Sequence, residues 1–379
     1  MLVYWSIFLY TTVVSFFCVT VNKKRNYNAI VKDENTAVRS VGLFGAMFSF
    51  ALLVFFASVK TTIADTTAYI VMFTDEERTL SEIPSLLFSG NKGPLFFAIQ
   101  ILFKNCISDN YTLWLSAIAI FQGFAVAKFL STYSTYFNFS CYLFIANCSF
   151  FWIFNGLRQF IAVCIILLAS KYLFNKKTIP FMICVFIACL FHNTALLWIP
   201  FYFVVQGKPF NKKVIISIFF AILCVVFVDT FTDILGNALE ETSYSGATEQ
   251  FENDDGVNPV TTLLYSIPVI IAFWRRRLIT SQAHPRYIDI LINMSCVAVA
   301  ISLIGNFTSG ILIGRLPIYF SLGNVVLLPW LINNCFWDKD KPFIKACCYI
   351  GYFFYFIYYM YISFGGMPYH SIFPIFFSG

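Results

Sequence analysis

Charge is what this chain has least of. Asp, Glu, Lys and Arg together make up 12% of its 379 residues, about half the share of an ordinary soluble domain. Histidine is scarcer still, with three, and no His-Glu-x-x-His pair is present. A Walker loop, a Gly-rich dinucleotide turn and a Gly-x-Ser-x-Gly elbow are also missing, which leaves most soluble-site and metalloprotease chemistries unsupported. The twelve cysteines lie in or at the ends of apolar runs and never in a spaced cluster. They read as small core hydrophobes, with no disulfide framework, metal site or cofactor implied.

What the chain has instead is length without polarity. Hydrophobic residues reach 59%, and apolar runs of 14 to 22 residues recur from end to end. The fold class expected is an all-α polytopic membrane protein, a single integral-membrane domain over residues 1–379. The first run, Leu2 to Val21, has neither a basic n-region nor a small-residue cleavage site, so it reads as a retained helix and not a signal peptide. The net charge of +6 is dispersed between the runs, which points to membrane sidedness and to no nucleic-acid partner.

Orientation follows from placing basic loops in the cytoplasm. Lys23, Lys24, Arg25, Lys32 and Arg39 follow the first span, so the second, Val41 to Val59, runs outward. The run Pro94 to Cys106 is about 20 Å of helix against a hydrocarbon core of roughly 30 Å and carries Gln100 and Lys104. It is read as an external interfacial or re-entrant helix. Spans then run from Tyr111 to Leu130, Phe137 to Gly156 and Arg158 to Phe174. Residues 179–206 hold two short passes that turn near His192 in a depression open to water. Further spans are Val214 to Asp229, Val260 to Trp274, Ile288 to Ile304, Leu316 to Asn334 and Phe343 to Phe364. The result is about twelve spans, some short or re-entrant, with both termini external. It puts 19 Lys and Arg with five acids inside, and six Lys and Arg with 14 acids outside. An alternative that makes 94–107 a span and merges 179–205 into one would expose Lys176 and Lys177, and ranks second.

Two external loops stand out. Residues 60–110 carry the interfacial helix. Residues 229–259 carry eight acids and no Lys or Arg, read as a solvated acidic loop or, alternatively, a lid or carbohydrate-binding surface.

Two residues sit where lipid would penalise them. Arg158 and Gln159 open the run ending at Phe174, and His192 interrupts another. A charge at bilayer depth costs about 2.5–3.5 kcal/mol on insertion scales, so such residues face protein or a wet cavity. Arg158 and Arg315 are placed at helix N-termini, where the dipole favours anions and a guanidinium adds bidentate donors, an arrangement suited to phosphate or pyrophosphate. Asp65, Tyr69, Lys92 and Tyr319 complete the external polar set. Each has a plainer reading: a snorkelling anchor for either arginine, a structural role for His192, and helix capping for Asp65 in Asp65-Thr66-Thr67.

The segments Asn155-Gly156-Leu157-Arg158-Gln159-Phe160-Ile161-Ala162 and Phe191-His192-Asn193-Thr194-Ala195-Leu196, the latter followed by Ile199-Pro200-Phe201-Tyr202, resemble the EpsG-type group of Wzy polysaccharide polymerases. Asp65-x-x-x-Tyr69, Lys92-Gly93-Pro94 and Arg315-x-x-x-Tyr319 are similar in content and order, although Ala64 and Lys92 stand where many members carry glycine and an acidic residue. The resemblance covers residues 60–330. It implies a GT-C-like architecture in the bacterial inner membrane, with the active site facing the periplasm. The substrate it implies is an undecaprenyl-pyrophosphate-linked oligosaccharide, with membrane lipid around it and a chain-length regulator as a candidate partner. The roles expected are Arg158 and Arg315 on the pyrophosphate leaving group, His192 or Asp65 as the base, and Gln159, Asn193, Tyr69, Lys92 and Tyr319 in substrate binding. A lipid-linked oligosaccharide flippase and a membrane sugar acyltransferase are the alternatives. The flippase should show charges reachable from both faces, and the acyltransferase should show basic or histidine signatures on the cytoplasmic side.

Overall fold

The computed structural model describes residues 1–27, 41–88, 92–227, 256–310, 312–363 and 368–373. Residues 229–255 of the acidic loop, and the basic stretch 28–40, therefore lie outside the described residues. Among those described, the regular elements are helical, joined by one isolated antiparallel bridge between Lys60 and Ser371. Six helical segments are long and apolar enough to cross a membrane: Leu2–Val19, Tyr111–Tyr133, Leu157–Phe174, Arg286–Asn306, Ile318–Cys335 and Lys341–Ser363. Shorter apolar helices of 10–17 residues, Pro94–Cys106 and Thr178–Cys189 among them, accompany these. The protein is thus a polytopic helical membrane protein.

The chain forms two compact units, residues 1–196 with 342–379, and residues 197–341. In the first, α1 (Leu2–Tyr27) is followed by α2 (Leu43–Ser49), α3 (Ala51–Val59), α4 (Thr66–Thr74), α5 (Ile83–Leu87), α6 (Pro94–Cys106), α7 (Tyr111–Tyr133), α8 (Phe137–Ala146), α9 (Leu157–Phe174) and α10 (Thr178–Cys189). The second holds α11 (Trp198–Val205), α12 (Lys212–Val226), α13 (Pro259–Trp274), α14 (Arg276–Ser281), α15 (Arg286–Asn306), α16 (Ile318–Ser321) and α17 (Asn324–Cys335). The chain then returns to the first unit with α18 (Lys341–Tyr358).

Helix starts follow local chemistry. The Asn110 side chain accepts from the Thr112 amide at 2.8 Å, Asn211 from Lys213 and Val214 at 3.0 and 3.3 Å, and Asn258 from Val260 at 2.9 Å. Each satisfies first-turn donors that α7, α12 and α13 would otherwise leave bare. Pro94 opens α6 from within its first turn, where a missing N–H costs nothing.

Two expected spans are broken. The run Val41 to Val59 divides at Phe50, which is wholly buried edge-on to Phe144, with ring centroids 5.6 Å apart. The run Phe137 to Gly156 divides at Cys148, a non-glycine residue at φ 62°, and resumes as a single 3-10 turn, Ser149–Ile153. Residues 179–206 form α10, a 3-10 turn at Asn193–Leu197, and α11, so the expected interruption near His192 is present.

The first unit is knit by aromatic rings and by close helix approach. Trp114 of α7 lies 5.2–6.0 Å from the rings of Phe73, Phe96 and Phe103, joining α4, α6 and α7. A Cβ on Gly123 would come within 2.4 Å of Val54, so only glycine lets α7 approach α3 there. Gln100 and Lys104, read from sequence as signs of an interfacial helix, bind the end of α4. Lys104 Nζ donates to the carbonyls of Phe73, Thr74 and Glu76 at 3.0, 2.6 and 2.8 Å, and Gln100 donates to Met72 at 2.9 Å. A cation on the exposed carbonyls of a helix C-terminus opposes the dipole favourably.

In the second unit α15 is the buried helix, packed by α12, α13 and α16. Its wholly buried Asn293 donates to the Val205 and Lys208 carbonyls and accepts from the Phe210 amide, all at 3.0–3.2 Å.

Candidate functional site

The start of α9 collects most of the residues singled out by sequence. Gly156, at φ +66°, is the residue before the helix, and its amide donates to the Asp65 carboxylate at 3.0 Å. Asp65 stands at the N-cap position of α4, yet makes no side-chain cap there. The capping expected of it from Asp-Thr-Thr is delivered 91 residues away, to α9.

Arg158 occupies the first turn of α9. Its Nη1 donates to the Lys92 carbonyl at 3.2 Å, and its guanidinium faces the rings of Phe96 and Phe97 at 6.0 and 5.6 Å. Its Nε is buried and meets no acceptor among the described residues. Tyr69, buried and 5.8 Å from the Phe96 ring, neighbours both charges. Burial and then the Asp65 carboxylate push its hydroxyl above the usual tyrosine range, with Arg158 pulling the other way.

The loop that presents Lys92 is tied to the end of α10. Gly93 sits at φ +72°, and a Cβ there would lie 2.6 Å from the Phe191 carbonyl oxygen and 3.5 Å from Arg158 Nη1. The Leu95 amide donates to the Leu190 carbonyl at 3.0 Å. His192, half-buried, follows directly. Its amide donates to Ala188, and its Nδ1 shares a 2.7 Å hydrogen bond with the Thr194 hydroxyl, which fixes the ring. Asp65, Tyr69, Lys92 and Arg158 are thus linked within one unit, and the Lys92 loop is tied to the residues just before His192.

The remaining expected residues are placed differently. Gln159 is 97% buried beside the Gln122–Leu157 contact, in which Gln122 donates to the Leu157 carbonyl at 3.2 Å. Asn193 is exposed. Arg315 and Tyr319 belong to the second unit. Arg315 lies half-buried in the turn ahead of α16 instead of in a first helical turn, and Tyr319 is buried within α16. No cluster of three or more metal-ligating side chains occurs among the described residues.

One charged residue was not singled out by sequence. Lys60, 1% exposed at the end of α3, donates from Nζ to the carbonyls of Ile153 and Phe154, both at 3.0 Å. Burial pushes its ammonium down to about 7, against the pull of Asp65. A single lysine beside an apolar run carries no pattern from which such a contact could be read.

The arginine held on aromatic faces and the histidine turn near it are the candidate site of a helical integral-membrane protein. The EpsG family, a Wzy-like polysaccharide polymerase family, matches residues 44–375, and the chain belongs to it. No curated protein and no solved structure matches the chain. Membership makes it a membrane protein of polysaccharide biosynthesis, with polymerase activity at the family level.

Proposed function

We propose that the protein joins oligosaccharide repeat units carried on undecaprenyl pyrophosphate, transferring the growing chain from its lipid to an incoming unit at the periplasmic face of the inner membrane. The observation that carries this reading is Arg158. Its guanidinium is oriented by the Lys92 carbonyl and two phenyl faces in a side chain that is only half-buried. The charge that develops on the leaving group as the C1–O bond breaks is what a guanidinium so placed stabilises.

His192 is assigned as the base that takes the proton from the acceptor hydroxyl as that oxygen bonds to C1. The Thr194 contact orients the ring, and in the tautomer that donates Nδ1–H to Thr194 the basic nitrogen is Nε2. Asp65 is assigned a positioning role, since its carboxylate engages the Gly156 amide. Tyr69, Lys92 and the exposed Asn193, in the same unit as Arg158, are assigned to orient sugar or phosphate oxygens. A second phosphate contact from Arg315 rests on its sequence setting, Gly314-Arg315-Leu316-Pro317, and is tested separately by Arg315→Ala.

The experiment is complementation of a strain lacking the polymerase. Arg158→Ala, at normal protein level, is expected to lose long polymer, because removing one donor to a developing charge costs about 10²–10³ in rate. Full-length polymer from Arg158→Ala would refute the leaving-group assignment. Retained turnover by His192→Ala on purified lipid-linked units would demote the histidine to a structural residue.

A further inference from the structure

The turn that launches α9 is gripped from both sides by opposite charges. Upstream, the carbonyls of Ile153 and Phe154 end a 3-10 turn and point at the Lys60 ammonium, 3.0 Å from each. Downstream, the Gly156 amide points at the Asp65 carboxylate. A cation on the carbonyl end of one short element and an anion on the amide end of the next match the peptide dipoles at each. Arg158 follows two residues later.

Lys60 is itself anchored by a C-terminal strap. Residues 59–61 pair with residues 370–372: the Thr61 amide donates to the His370 carbonyl at 2.9 Å and the Ile372 amide to the Val59 carbonyl at 3.0 Å, around the Lys60–Ser371 bridge. Tyr369, in the same strap, donates its hydroxyl to the Phe56 carbonyl at 2.7 Å. The Phe154 ring completes the enclosure, with Lys60 Nζ 5.5 Å from its centroid and the rings of Tyr4 and Tyr369 edge-on at 6.4 and 6.2 Å. A methionine would fill the same volume without burying charge, so what the ammonium adds is its grip on two carbonyls that would otherwise be left bare.

We propose that Lys60 is a positioning residue for Arg158: its ammonium, with the Asp65 carboxylate, clamps the Ile153–Gly156 turn and so fixes where the guanidinium meets the substrate. The proposal rests on the leaving-group role of Arg158. It also gives the strap a task, since residues 369–372 hold the lysine that holds the turn.

The test uses the full-length protein in lipid nanodiscs with lipid-linked repeat units extracted from the producing cells. Lys60→Met is expected to lower kcat by roughly tenfold to a hundredfold, as for a catalytic group displaced by about an ångström, with KM for the incoming unit unchanged. Lys60→Gln, which keeps a donor for one carbonyl, is expected to fall between. In an Arg158→Lys background, Lys60→Met should cost nothing further, and hydrogen exchange at the Gly156 amide should quicken in Lys60→Met alone. Full kcat in Lys60→Met, or the same loss in both backgrounds, would overturn the proposal, the second by showing a general structural role. If Lys60→Met does not fold, Lys60→Gln and its amide exchange decide in the same way. Lys60→Met active with Arg158→Ala dead sinks the clamp alone, whereas Arg158→Ala fully active sinks the leaving-group reading and the clamp with it.

Discussion

Gly93 shows how little room surrounds Arg158. Its left-handed backbone and the 2.6 Å approach of a Cβ to the Phe191 carbonyl leave no low-energy place for a side chain. Gly93→Ala is expected to cost about 1–3 kcal/mol, to lower the unfolding midpoint in detergent, and to reduce polymer length through a displaced Lys92 carbonyl. Wild-type stability and polymer would contradict this. Asp65 offers a finer contrast. Asparagine keeps an oxygen for the Gly156 amide and alanine does not, so Asp65→Asn should retain more turnover than Asp65→Ala, whereas a base at this position would make the two equally inactive. Lys60 predicts a pH signature. Its folded value, about 7, lies below the ordinary 10.5, so between those values the unfolded chain binds a proton that the folded chain does not. Stability contributed here therefore rises with pH across that window and is flat below it. The wild type should gain on Lys60→Met in thermal unfolding as pH rises above 7, and parallel curves would contradict the assignment.

At the scale of elements, the starts of α6 at Pro94 and α7 at Tyr111 were legible, because the chemistry of a helix start is local. Asn110, Asn211, Asn258 and Pro94 sit within one turn of the groups they serve. The breaks at Phe50 and Cys148 were not legible, since neither residue is a glycine or proline and both breaks answer to tertiary packing. The partners of Asp65 and Lys60 were hidden for the same reason, lying about 90 residues along the chain. Lys104 was noticed for its charge, but its task, closing the end of α4, required the structure. Charge-assisted bonds of this kind are worth about 1.5–3 kcal/mol, part of which solvent screens for a half-exposed side chain. Lys104→Met should lower the unfolding midpoint and raise proteolytic cleavage around Asp75, and an unchanged midpoint would count against the clip.

For the whole molecule, composition alone was enough to place the chain in a membrane, because no soluble core needs so many apolar runs. Family membership then supplied the class of chemistry, and the place proposed for it is the set of contacts around Arg158 in one unit. Sidedness is the part that charge counting predicts most sharply. Alkaline phosphatase fused after Phe373 should be active and fused after Lys208 inactive, and the reverse pattern would invert the proposed orientation.

The most direct measurement is elongation of purified lipid-linked repeat units by wild type and Arg158→Ala, resolved by product length. A ladder is expected from the wild type and none from Arg158→Ala at equal folded protein. A ladder of equal length and rate from both would contradict the leaving-group role of Arg158.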